Sequence, residues 1–144
     1  MTVNYQNVEE FFSDRSFHDY FFEGLSFEYH NLYFYLGERR ETRLIELMLL
    51  DPDLNEVRII FHDVIGCEFT SCEFCGRTPH IDHISYLEDE EKIVTPKLLN
   101  RFKDIPEKEK FLYLLNDDKT YIEIRIQLVS GDVVLIACES FELS

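Results

Sequence analysis

Residues 67–83 read CEFTSCEFCGRTPHIDH and bring three cysteines and two histidines within seventeen positions. Cys72 and Cys75 form a C-x2-C pair followed at once by Gly76. That is the order of zinc knuckles, where a turn draws two thiolates together and glycine accepts a backbone conformation that other residues resist. His80 and His83 complete C-x4-H-x2-H, and two thiolates with two imidazoles suit tetrahedral zinc. Secondary structure decides whether the four can converge. A helix opened by Thr78 and Pro79 would make the two histidines neighbours on one face. A strand over 80–87 would point them to opposite sides and deprive the ion of one ligand. The gap between the two pairs is also far shorter than in the usual finger. A plainer account treats Cys67, Phe69, Phe74 and Cys138 as members of apolar, strand-like runs, since reduced cysteine packs as a small hydrophobe. Packed thiols with no cofactor is the preferred reading; structural zinc on Cys72, Cys75, His80 and His83 is the alternative.

Other chemistry-bearing patterns are weaker. Phe-His-Asp occurs at 17–19 and again at 61–63, which raises both an internal duplication and a catalytic His–Asp pair. Two tripeptides are too little for a duplication, and adjacent residues on a strand point to opposite faces, so neither pair reads as a dyad. Asp51, Asp53 and Asn55 imitate the start of a calcium loop. Glu56 stands where that loop needs glycine and His62 where it needs a bidentate Glu, so the stretch reads as a turn.

Charge narrows the range of partners. Twenty-nine Asp and Glu against 14 Lys and Arg give a net charge of −15. Such a chain repels phosphate backbones and anionic membrane surfaces, which argues against nucleic acid and membrane, and it matches a basic protein electrostatically. The run Glu88, Asp89, Glu90 and Glu91 is the candidate partner-binding stretch. No apolar run reaches the roughly 20 residues a bilayer span needs, and MTVNYQNVEE lacks the basic and apolar regions of a signal peptide. A cytoplasmic protein is expected, and its cysteines are then expected to be reduced.

The elements that must position these residues are mostly strands. With 144 residues, 45% of them hydrophobic, the chain can build one ordinary core, and even composition without a linker predicts a single domain over 1–144. Asn7 and Glu10 suggest a short helix opened by a capping box. Leu25, Phe27 and Tyr29 then alternate with polar residues, and a hairpin turn is expected near His30–Asn31. RLIELMLL and VRIIFHDVIG are further strands around the turn DPDLN. TPKLLNRF predicts a helix from Thr95 with Pro96 at its first position. FLYLL, YIEIRIQLVS and VVLIACESFEL close the chain as strands, the last two joined through Ser130–Gly131–Asp132. The expected class is α+β, predominantly antiparallel: a sheet, sandwich or partly open barrel with two or three short helices.

The early His-Asp with paired strands, the VRIIFHDV strand, the Gly-Arg-Thr-Pro-His-Ile-Asp turn and the final IEIRIQLVSGDVVLIACESFEL hairpin resemble the small acidic proteins of Gram-positive bacterial toxin–immunity loci. The resemblance implies a non-enzymatic protein-binding module, an immunity protein that neutralises a basic toxin domain. It does not account for the cysteine cluster.

Overall fold

The structure is a computed structural model, described here over residues 1–33, 39–64, 66–69, 79–86 and 121–144. In chain order the elements are β1 (Thr2–Asn4), α1 (Val8–Ser13), β2 (Phe21–Tyr33), β3 (Arg39–Leu50), β4 (Glu56–His62), β5 (Gly66–Phe69), β6 (Ile81–Tyr86), β7 (Ile122–Leu128), β8 (Val133–Cys138) and β9 (Ser140–Leu143). They form two antiparallel sheets, one of five strands in the order β1-β9-β4-β3-β2 and one of four in the order β5-β8-β7-β6. The antiparallel β-rich class expected from the alternating patterns is therefore what the chain adopts.

Period-two alternation explains which faces meet. Ile122, Ile124, Ile126 and Leu128 from one sheet and Ile45, Leu47, Ile59, Phe61 and Phe141 from the other are buried in one shared core. α1 is only six residues long, too short to be stable by itself, so packing must hold it. It buries Val8 and Phe11, and the Phe12 ring meets Tyr86 of one sheet and Phe141 of the other, at 5.6 and 6.2 Å between centroids.

Two corners tie the sheets together. At the first, β4 runs on into β5 while β8 runs on into β9, so one antiparallel ribbon leaves the first sheet and enters the second. His62 lies opposite Ser140 and Gly66 opposite Ala137, so one arm carries an extra residue through the bend. Such an insertion is the usual way a strand switches sheets. Asp63 takes it up with a left-handed φ of 50°. At the second corner the N–H of Ile81 donates to Tyr20 O at 2.7 Å, that of Phe22 to Pro79 O at 2.8 Å and that of Asp19 to Ile81 O at 3.0 Å. Asp19 also has a left-handed φ, 67°. The pairing stops at the Phe21–His80 bridge, so the two sheets do not close into a barrel.

Two expectations change, and a third falls outside the described residues. Asn7 does sit at the start of α1, yet it makes no side-chain cap. Its Oδ1 accepts the N–H of Asn4 at 2.7 Å and its Nδ2 donates to Thr2 O at 3.0 Å, which fastens the helix to β1. The hairpin does not turn at His30–Asn31: both residues pair in a ladder, with Thr42 and Glu41, that runs on to Tyr33 opposite Arg39. Asn favours turns, but an unbroken ladder gains more than one residue's preference withholds. The third concerns helices: α1 is the helix among the described residues, and the one expected from Thr95 lies outside them, as does the FLYLL strand.

Candidate functional site

Cys72, Cys75 and the run Glu88–Glu91 lie outside the described residues. His80 and His83 lie within them, at the start of a strand rather than in a helix. Ile81 and Ile84 are both buried although three apart, which a regular strand forbids. A register shift between Ile81 and His83 supplies the odd residue, so His83 stands exposed, away from the side that the two isoleucines fill. The His80 ring lies against Phe21, 4.3 Å between centroids, and His83 Nδ1 lies 2.7 Å from Asp82 Oδ2. No group of three or more His, Cys, Asp or Glu suited to a metal occurs among the described residues.

The two described cysteines are free thiols. Burial, with Glu68 adding to it, pushes the Cys67 thiol up to about 11. Burial also raises that of Cys138, with Asp63 and Glu139 adding to it. Both are therefore protonated at neutral pH, and an unionised thiol is a poor nucleophile.

Adjacent His and Asp do meet, contrary to the strand argument. His18 Nδ1 lies 3.1 Å from Asp19 Oδ2, because the two stand in a turn before β2, with Asp19 left-handed, where strand alternation does not apply. The bulge at Asp82 breaks the alternation for His83. In the second Phe-His-Asp, His62 Nε2 turns instead to Glu142 Oε1 at 3.2 Å. What the two tripeptides share is architectural: Phe17 and Phe61 are buried, both aspartates have positive φ, and each tripeptide stands at one corner between the sheets. The calcium-like stretch is a turn. Asp51 Oδ1 accepts the N–H groups of Asp53 and Asn55 at 2.9 and 2.8 Å, so its carboxylate is committed to its own backbone.

A different region stands out as a surface for binding. The described residues include 18 Asp and Glu, six Arg and no Lys, while all six lysines lie between Lys92 and Lys119. Of those arginines, Arg58 lies 2.7 Å from Glu56 and 3.2 Å from Glu46, and the Arg15 guanidinium rests 4.8 Å from the Phe11 ring centroid. Against this acidic body, Phe27 is 65% exposed on the edge strand β2, flanked by the exposed Ser26 and Glu28. Its alternation with Ser26 and Glu28 is the same pattern that buries residues on central strands. Nothing in one sequence tells an edge strand from a central one, so this exposure was not legible, although the segregation of lysine was. No family model matches the chain, and no curated protein or solved structure matches it either.

Proposed function

We propose that the chain is a non-enzymatic module that binds a basic protein, in the manner of an immunity protein covering a cationic toxin domain. The observation that carries this reading is the charge of the double-sheet body: 18 acidic residues against six arginines and no lysine over its described residues. A surface of one sign raises the encounter rate with a partner of the other sign and disfavours wrong partners. Glu88, Asp89, Glu90 and Glu91 extend the acidic character in sequence and belong to the proposal.

The test is co-expression with the basic polypeptides encoded by flanking genes, followed by association kinetics of the purified pair. The rate should fall as added salt shortens the screening length towards about 8 Å. Replacing Glu88, Glu90 and Glu91 by lysine should lower it further while leaving dissociation nearly unchanged. A complex whose association ignores salt, or no complex with any of these products, overturns the reading.

A further inference from the structure

Resting on that reading, we propose that the β2 edge from Gly24 to Phe27 receives an extended segment of the basic partner as an added strand, with Phe27 as its apolar anchor. The direction of every backbone group on this edge follows from the hydrogen bonds. Arg58 and Ser144 exchange both of theirs, at 3.2 and 2.9 Å, so Arg58 turns its backbone to the far side of β4. In an antiparallel ladder that direction alternates. Val57, Ile59 and Phe61 therefore turn towards β3, where they face Leu49, Leu47 and Ile45. Those three β3 residues are thus committed to β4, and the β2 residues opposite them, Phe22, Leu25 and Phe27, point their N–H and C=O away from the sheet. Phe22 confirms the phase, since its outward N–H is the one bonded to Pro79 O at 2.8 Å. Beyond it, the outward groups of Leu25 and Phe27 meet no partner among the described residues.

Edges of sheets are normally shortened or disrupted to prevent such pairing. β1 has three residues and β5 four, and β6 is bulged at Asp82, whereas β2 has thirteen. Its own bulge, between Phe22 and Gly24, lies before the open stretch.

Side chains specify the occupant. Phe27 belongs to the row Phe27, Ile45, Phe61, Phe141 and Val3, read across five strands, of which the other four are buried. An added strand continues that row, so the residues it places opposite Leu25 and Phe27 are apolar. Its alternate residues lie on the other face beside Ser26 and Glu28, next to Glu46 on β3, and although Glu46 also meets Arg58 at 3.2 Å, acids outnumber bases there, so lysine or arginine is matched. The partner segment accordingly alternates apolar and basic residues, and backbone bonds supply affinity while alternate side chains supply specificity.

The probes are a short peptide alternating valine and lysine and one alternating glycine and lysine with the same charge, titrated into the intact chain at low salt. The valine peptide should bind at least about tenfold more tightly, and Phe27→Ala should lose about tenfold, as truncation of an interface anchor does. For a strand added antiparallel, as every neighbour in this sheet is, the valine amides face β2, and methylating them should abolish binding; methylating the lysine amides should not. Amide exchange at Leu25 and Phe27 should slow in the complex. Equal binding of both peptides overturns strand addition and leaves the acidic-surface reading intact. Binding of neither overturns both. If the free chain is already a dimer with Leu25 and Phe27 protected, the occupant is a second copy and the basic segment is excluded.

Discussion

Cys138 is the residue at which sequence and structure agree most directly. A thiol within VVLIACESF reads as a small hydrophobe, and it is fully buried at the end of β8. Site-resolved alkylation near about pH 8 should leave Cys138 unmodified long after the unfolded chain has reacted, because thiolate is the reacting species. Rapid native labelling would contradict its burial. Cys67 is half-buried, and its thiol, pushed up to about 11, should react slowly near neutrality and faster as the pH climbs. The same shift bears on stability. The unfolded thiol ionises near 9.0 and the folded one near 11, so below pH 9.0 its contribution is fully present, and it is lost as pH rises from one value to the other. Urea unfolding at about pH 8 and about pH 10.5 should therefore show a smaller alkaline loss in Cys67→Ala than in wild type. Identical losses would mean that this thiol is not the linked group. The histidines were harder to read. Their orientation depends on the bulge at Asp82, which inserts one residue without leaving a composition signal.

At the scale of elements, turn chemistry was legible where geometry demanded it. The β7–β8 hairpin closes through Gly131, whose φ is 93°, with its N–H donating to Leu128 O and the Leu128 N–H to Asp132 O, both at 2.9 Å. A three-residue loop ending in a left-handed glycine is a common hairpin solution, and Ser-Gly-Asp announced it. A Cβ on Gly131 would meet nothing within 4 Å, so Gly131→Ala isolates the conformational term. It should destabilise by roughly 1–2 kcal/mol, the usual penalty for a left-handed side-chain-bearing residue. A neutral result in thermal unfolding would show that the turn relaxes. Asn7 illustrates the opposite case. Its sequence context suggested a helix cap, but the tertiary position of β1 redirected its side chain to Thr2 and Asn4. Asn7→Ala should loosen β1 from α1 and destabilise by about 1–2 kcal/mol, visible as faster amide exchange at Asn4. The long β2–β3 hairpin shows why local preference failed at His30–Asn31: its extent is set by pairing with residues 39–42, information spread over two segments.

For the molecule as a whole, alternation established that the chain is sheet-rich, while the corners that join the sheets were hidden. They depend on Asp19 and Asp63, one inserted residue and buried Phe17 and Phe61, none of which departs from ordinary composition. Because both sheets bury one shared core through these corners, they should unfold together rather than in turn. Charge acts on the same unit and was visible from the start. With a net charge of −15, compaction brings like charges together, and self-repulsion opposes the folded state. Sodium chloride should therefore stabilise the protein as the screening length falls from about 30 Å at 0.01 M to about 8 Å at physiological strength. The gain should be on the order of 1 kcal/mol, comparable to one contact pair of like charges in water. Chloride is the informative salt, since sulfate strengthens apolar burial irrespective of charge. Neutralising two exposed acids, Glu23→Gln with Asp53→Asn, should raise the melting temperature at low salt and shrink the response to added chloride. A melting temperature that falls with chloride, or a double variant as salt-sensitive as wild type, would show that the carboxylates are held too far apart to repel one another. An acidic surface so arranged would cost the fold nothing, whereas one that chloride relieves is under a repulsion that a bound cationic partner would also relieve.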